Sequence, residues 1–178
     1  MTEPSGPSTS AVAHLDSLPE AEARQLLARC CGASRWVESM LGARPFRSPQ
    51  ALLAQADAVW VGLEGTDYLE AFSHHPEIGA DLAELRKKFA STAELSLGEQ
   101  AGAANASEAV LLALRSGNQA YRERFGYSFI VCATGKSAAE MLSLLEQRLA
   151  NPAESELHNA AAEQAKITRL RLEKLGTP

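Results

Sequence analysis

Apolar side chains recur at intervals of three and four residues along almost the whole chain. A clear example is the series Leu52, Leu53, Ala56 and Trp60. This interval is the period of an α-helix with one buried face, whereas a half-buried strand alternates every second residue. Only residues 127–133 (YSFIVCA) form a strand-like run, and no second run offers a partner. The spacing therefore predicts an all-α chain: a single compact domain of about eight or nine helices with short connections.

Capping patterns and glycines predict where individual helices begin and end. The pattern Ser17-x-x-Glu20 has the form of a capping box at a helix N-terminus. A long helix is predicted to end at Gly117, and a short helix is predicted to follow from Asn118 to residue 126. Residues 127–133 should then form an extended segment between helices.

Composition bounds the domain organisation and the class of partner. Residues 1–10 are rich in Ser, Thr, Pro and Gly, so we expect a disordered tail, with a single helical domain over 11–178. The net charge of −5 and the interleaved basic residues argue against nucleic-acid binding. No run reaches the ~18 apolar residues that cross a bilayer, so no membrane contact is expected. The three cysteines form no disulfide or metal pattern, which favours a cytoplasmic protein.

Two histidines precede a proline in the segment Ser73–Gly79 (SHHPEIG). Histidine is the side chain best suited to proton transfer near neutral pH, and a turn can present it to a cleft. A surface helix end stabilised by a histidine is the simpler alternative. A metal-dependent hydrolase using His74, His75 and Glu77 is a weaker one, because adjacent histidines point to different sides and no second ligand cluster is evident.

Three further segments carry polar residues that suit ligand binding. Ser96-x-x-Glu99-Gln100 is readable as a capping box, or as a polar site at a helix N-terminus. Residues 133–137 (ATGKS) resemble part of a P-loop, but the position that needs the first glycine is Ile130, so we reject a nucleotide site. Residues 166–171 (KITRLR) hold two arginines that project from different sides of a helix.

Taken together, these segments resemble one family, the 2-oxo-4-hydroxy-4-carboxy-5-ureidoimidazoline (OHCU) decarboxylases, from about residue 18 to residue 175. No single motif is specific, but their order and spacing are. The matching landmarks are Arg44-Pro45-Phe46, His75-Pro76-x-Ile78-Gly79, Ser96-x-x-Glu99-Gln100, Asn118-x-x-Tyr121-x-x-x-Phe125-Gly126, Phe129-Ile130-Val131 and Glu163–Leu172.

The resemblance implies an all-helical enzyme, usually a homodimer, that needs no cofactor or metal and converts OHCU to (S)-allantoin in urate degradation. His75 resembles the catalytic histidine. The expected substrate contacts are Pro76, Ser96, Glu99, Gln100, the main chain of Phe129, Ile130 and Val131, and Arg171 in the last helix. Arg169 is the alternative register for that arginine.

The resemblance leaves two further roles open. It does not fix whether His74 assists His75, nor which group delivers the proton to C5 of the substrate. The competing hypothesis is a helical binding or scaffolding module that has kept the fold and lost the chemistry. The polar landmarks that the chemistry needs are all present in the sequence, which favours the enzyme.

Overall fold

The computed structural model describes residues 7–75 and 102–175, apart from the side chains of residues 102–107. Within these ranges the chain forms eight α-helices and no β-strand, which confirms the all-α prediction. The helices are α1 (Thr9–Ser17), α2 (Glu20–Cys30), α3 (Ser34–Gly42), α4 (Pro49–Val61), α5 (Gly65–Ser73), α6 (Gly102–Phe125), α7 (Ala138–Leu149) and α8 (Ala153–Glu173).

The chain divides into two compact units. One comprises Met1–His74 with Ala161–Pro178, and the other His75–Ala160. The prediction of one domain over residues 11–178 stays a prediction. None of the helices in the described ranges combines the length and the apolar character that a bilayer span requires.

Helix α1 is absent from the sequence prediction, which placed residues 9 and 10 in the tail. The hydroxyl of Ser8 accepts a hydrogen bond from the N–H of Ala11 (3.1 Å) and caps this helix. The predicted capping box at Ser17 is wrong. The Ser17 hydroxyl donates to the carbonyl of His14 (2.8 Å), and α2 begins after Pro19 without a side-chain cap.

Two tryptophans anchor the core of the first unit. Trp36 of α3 is fully buried, and its indole N–H donates to the carbonyl of Ala56 on α4 (3.2 Å). Trp60 of α4 donates in the same way to the carbonyl of Ala161 on α8 (3.1 Å). Each ring therefore buries a large apolar surface and keeps its one donor satisfied.

Arg44 holds the connection between α3 and α4. Its guanidinium donates to the carbonyls of Leu15 (2.8 Å) and Leu18 (2.9 Å) at the end of α1. In return, the Asp16 carboxylate accepts from the N–H groups of Phe46 (2.9 Å) and residue 47 (3.0 Å). These bonds satisfy the last carbonyls of α1 and fix the entry into α4.

The second unit is built on the packing of α6 against α7, and it corrects the predicted break at Gly117. Helix α6 runs uninterrupted through Gly117 to Phe125. A Cβ at residue 117 would lie 2.6 Å from Cδ2 of the fully buried Leu145 on α7. Glycine therefore serves here as the point of closest approach between two helices. Asn118 lies within this helix, and its side-chain amide donates to the carbonyl of Leu114 (2.9 Å).

Candidate functional site

The last turn of α5 leads directly into the two histidines. One turn before its end, the Glu70 carboxylate accepts hydrogen bonds from the N–H (3.0 Å) and the hydroxyl (2.5 Å) of Ser34. This carboxylate caps the N-terminus of α3, where helical N–H groups lack partners. Helix α5 ends at Ser73 with His74 as its C-cap, as the proline at position 76 predicts. His75 is half-buried. The end of α5, up to His74, is thus anchored to α3.

The His74 ring packs onto the main chain of Gly32, between α2 and α3. A Cβ at residue 32 would overlap Cδ2, Cγ and Cβ of His74. Because His74's own Cβ is among these atoms, a rotation of the side chain alone would not relieve the overlap. Glycine at position 32 is therefore a steric requirement of the turn that precedes His75.

The two arginines of α8 have different surroundings. Arg169 is exposed and pairs with the carboxylates of Asp57 (3.1 Å) and Glu173 (3.2 Å). Arg171 is half-buried, and its Nη1 donates to the carbonyls of Arg29 (3.3 Å) and Cys30 (3.2 Å) at the end of α2. Its partners among the described residues are therefore carbonyl dipoles and no carboxylate.

The adjacent thiols of Cys30 and Cys31 lie within electrostatic reach of Arg171, but they are not activated. Burial raises the pKa of each thiol to about 11, and the positive charge of Arg171 only partly offsets this effect. A thiolate is the nucleophilic form of cysteine, so both residues are inert at neutral pH. Their task is to fill the core at the end of α2.

Residues 127–133 connect α6 to α7 without helical or strand hydrogen bonding, and we call them the linking segment. Phe129, Ile130, Val131 and Cys132 are all buried. The structure confirms that these residues link two helices without being helical, and their extended conformation stays a prediction. A buried connection is unusual, because its main-chain N–H and C=O groups need partners that a loop on the surface finds in water.

Two basic side chains of α7 and the preceding turn supply part of these partners. The Nη1 of Arg148 donates to the carbonyl of Ile130 (2.8 Å), and the Nζ of Lys136 donates to the carbonyl of Cys132 (2.8 Å). Lys136 is the lysine of the P-loop-like residues 133–137, and here it binds a nearby main-chain carbonyl. Gly135 turns the chain with a φ of 75°, and the Ser137 hydroxyl caps α7.

Arg148 is itself held by a buried carboxylate that the sequence analysis did not identify. Glu156 is fully buried on α8, and it accepts from Nε of Arg148 (2.7 Å) and from the hydroxyl of Tyr121 (2.5 Å). Its second oxygen accepts from the amides of Asn151 (2.7 Å) and Asn159 (3.3 Å). All four neighbours are donors, so the site suits an ionised carboxylate.

The protonation states within this group follow from its hydrogen bonds. Burial alone would raise the pKa of Glu156, but the bonds from Arg148, Tyr121 and Asn151 outweigh it and lower the pKa. The pKa of Tyr121 is raised by burial and by its bond to Glu156. Arg148 and Glu156 thus form a charged pair, with Tyr121 neutral and donating. The Arg148 guanidinium also lies 4.7 Å from the Phe129 ring centroid, within cation–π range.

The structure describes five of the nine residues predicted for the site. His75 and Arg171 are half-buried, and the linking segment contains Phe129, Ile130 and Val131. Four predicted residues lie outside the described ranges: Pro76, Ser96, Glu99 and Gln100. Glu77 of the metal-hydrolase alternative also lies outside them. Over residues 7–75 and 102–175, no group of three or more His, Cys, Asp or Glu side chains is arranged to hold a metal ion.

Comparison with known proteins identifies relatives of this chain. The family model described as OHCU decarboxylase matches residues 16–173. A uric acid degradation bifunctional protein, TTL, of Arabidopsis thaliana is 40% identical over 148 residues, which cover 82% of this chain and 45% of that protein. A 2-oxo-4-hydroxy-4-carboxy-5-ureidoimidazoline decarboxylase of Amia calva is 38% identical over 108 residues, which cover 56% of this chain and 55% of that one. The chain spans about half the length of these two relatives.

A solved structure matches over most of its length. The crystal structure of an OHCU decarboxylase in the presence of (S)-allantoin is 35% identical and superimposes with a TM-score of 0.68. The match covers 85% of this chain and 96% of that one.

Proposed function

Because the chain belongs to the OHCU decarboxylase family, we propose that it decarboxylates 2-oxo-4-hydroxy-4-carboxy-5-ureidoimidazoline to (S)-allantoin in urate degradation. The observation that carries the proposal is the family match over residues 16–173, which includes every part of the chain that we assign a role. The likeness to an OHCU decarboxylase solved in the presence of (S)-allantoin supports the choice of product.

The chemistry of this substrate is consistent with a reaction that uses no cofactor, as we propose. C4 carries a hydroxyl and a carboxylate and lies next to a C5=N imine. When the bond from C4 to the carboxylate breaks, its electron pair forms a C4=C5 double bond and the imine π pair moves to nitrogen, which takes a proton. The hydroxyl proton then leaves as C4 becomes a carbonyl, and C5 gains a proton. One proton is taken up for each CO₂ released, and the substrate supplies its own electron sink.

In this proposal His75 removes or polarises the C4 hydroxyl proton, which is general acid–base work suited to an imidazole. Arg171 holds an anionic or carbonyl edge of the substrate through its planar fork. Its contacts with carbonyl oxygens rather than carboxylates support Arg171 over Arg169, whose charge two carboxylates neutralise. Pro76, Ser96, Glu99 and Gln100 complete the proposed site, the last two orienting the ring and ureido N–H groups.

We also propose that the protein is a cytoplasmic homodimer. The three cysteines are free and buried, which suits a reducing compartment. The homodimer is the usual state that the family resemblance implies. Light scattering after size-exclusion chromatography measures the assembly directly, and a mass of one 19.0 kDa chain would reject the dimer.

The test is circular dichroism at an allantoin wavelength, with urate, a urate oxidase and a hydroxyisourate hydrolase generating the unstable substrate in the cuvette. We expect rapid growth of an (S)-allantoin signal that EDTA does not diminish. His75→Ala should lower kcat by roughly 10²-fold or more while leaving the far-ultraviolet spectrum intact. His74→Ala is the matched control at the neighbouring residue, and its kcat shows whether His74 assists His75.

Two outcomes would overturn parts of the proposal. Formation of allantoin no faster than the spontaneous decay, by a folded protein, would favour the helical module that has lost its chemistry. Activity abolished by EDTA and restored by a divalent cation would favour the metal-dependent alternative. A loss below tenfold in His75→Ala would remove the acid–base role from that residue.

A further inference from the structure

Within residues 129–132 of the linking segment, every second carbonyl accepts a hydrogen bond. The carbonyls of Ile130 and Cys132, two positions apart, accept from Arg148 and Lys136. Among the hydrogen bonds of the described residues, none uses the main-chain N–H or C=O of Phe129 or Val131. Both residues are almost fully buried. Buried main-chain groups are nearly always paired, so these unpaired groups indicate a missing polar partner.

The alternation has a geometric reason. In an extended chain, groups two positions apart face the same side, and the carbonyls that accept from Arg148 and Lys136 have this spacing, with Phe129 and Val131 at the alternate positions. A side chain that fixes the Ile130 carbonyl therefore also sets the direction of the main-chain groups on either side of it. One hydrogen bond orients three consecutive residues.

We propose that Arg148 is a positioning residue, which holds the Ile130 carbonyl so that the main-chain groups of Phe129 and Val131 are presented to the ring and ureido groups of the substrate. This inference rests on the proposed function and goes beyond it. It removes the Ile130 carbonyl from the set of substrate contacts and gives the buried pair of Arg148 and Glu156 a task in substrate binding.

The geometry of Arg148 suits this task because its nitrogens serve different partners. Nε and Nη2 face Glu156 (2.7 and 2.6 Å), while Nη1 reaches Ile130 (2.8 Å). Because Glu156 takes two of the three nitrogens, the third is directed at the linking segment. A lysine would keep the charge beside Glu156 but has one nitrogen for both partners.

The decisive variant is Arg148→Lys, compared with two controls. Tyr121→Phe removes a bond to Glu156 from the same buried group and leaves the bond between Arg148 and Ile130 in place. Arg124→Lys makes the same chemical change at an arginine that also donates to a main-chain carbonyl, that of Asn151 (3.1 Å), outside the linking segment. Tyr121→Phe tests whether lost stability of the buried group explains the result, and Arg124→Lys tests whether the Arg-to-Lys change itself does.

Two measurements report on each variant. The first is KM and kcat from the allantoin dichroism assay, together with the Kd of (S)-allantoin. The second is the HNCO peak of protein labelled with carbonyl-¹³C isoleucine and ¹⁵N valine. Ile130-Val131 is the only Ile-Val pair in the sequence, so a single peak reports on the carbonyl that Arg148 holds.

We expect Arg148→Lys to move this peak and to raise KM and Kd by about tenfold, with kcat changed less than threefold, since binding groups act on substrate and transition state alike. Tyr121→Phe and Arg124→Lys should leave KM within twofold. Equal KM changes in Arg148→Lys and Tyr121→Phe, or a moved peak with unchanged KM, would overturn the inference. If Arg148→Lys does not fold, the apolar pair Arg148→Met with Glu156→Leu replaces it, with the same expectation.

Failure of this inference is distinguishable from failure of the proposed function. A wild-type protein that forms (S)-allantoin rapidly, with an Arg148→Lys variant of normal KM, rejects the positioning role alone. A wild-type protein that neither forms (S)-allantoin nor binds it rejects both, whatever the HNCO peak shows.

Discussion

The stability of the second unit should depend on the charge of Glu156. In Glu156→Gln the shape is kept, but the carboxylate that faces four donors becomes an amide with one acceptor and one donor group. Arg148 has a side chain only 11% exposed and would lose its counter-charge. Removing one partner of a buried ion pair costs about 3–5 kcal/mol. Since glutamine keeps one oxygen for Arg148, we expect the lower end, about 3 kcal/mol.

The assays are urea unfolding and thermal unfolding, each followed by circular dichroism at neutral pH. A loss of about 3 kcal/mol corresponds to a fall in Tm of about 6–12 °C for a chain of this size. Glu154→Gln is the matched control, because Glu154 is exposed on the same helix two residues earlier, near the N-terminus. It should cost no more than about 1 kcal/mol, the value of one charge at a helix end.

The pH dependence adds a second, independent check. The folded protein lowers the pKa of Glu156, so the stability from its charge is fully present above the ordinary carboxyl pKa of 4.5. That stability is lost as the pH falls through the lowered value. The difference between wild type and Glu156→Gln should therefore be largest at neutral pH and shrink below about pH 4.5. A loss under about 1 kcal/mol at pH 7, or one that does not change with pH, would refute the charged pair.

Three further predictions follow from the first unit. Gly32→Ala should lower kcat by about tenfold or more because the new Cβ displaces His74, whereas Gly62→Ala, with no close contact, should leave kcat unchanged; equal effects in steady-state assays would contradict this reasoning. Arg171→Lys should reduce kcat/KM by about 10²-fold and Arg169→Lys by less than threefold, and a reversed order would assign the anion contact to Arg169. Burial raises the pKa of the thiols of Cys30 and Cys31, at the end of α2, to about 11. Both should therefore react with a disulfide reagent at pH 8 roughly 100-fold more slowly than free cysteine. Stoichiometric labelling of the native protein within a minute would show that they are exposed.

Helix existence was predictable from the sequence, but the role of single residues within helices was not. The spacing of Leu52, Leu53 and Trp60 predicts α4 and its buried face correctly. Glycine is intrinsically poor in helices, so the sequence predicts a helix end at Gly117, which is wrong. Its packing against Leu145 on another helix stabilises the continuous α6, and that contact has no local signal. Tertiary packing here overrides propensity.

In the candidate site, too, some features are predictable from the sequence and others are not. A histidine before a proline is visible in the sequence, because His75 and the end of α5 are encoded within a few residues. The pair of Arg148 and Glu156 is not visible, because each has an ordinary local explanation. A base in the last turn of α7 and an acid in the first turn of α8 both complement the helix dipole. Only the packing of the two helix ends turns these charges inward.

The linking segment shows how the two kinds of information combine. Its sequence predicts an extended, apolar connection, and an apolar connection alone would be a poor ligand site. In our proposal its capacity to bind a ligand comes from the polar groups of the main chain, which have no signature in the sequence. In this segment the side chain of Arg148 occupies one carbonyl, while the groups of Phe129 and Val131 are left without partners. The proposed recognition through the main chain would therefore depend on residues that need not touch the substrate, and on that proposal substitutions at Arg148 or Glu156 change the site.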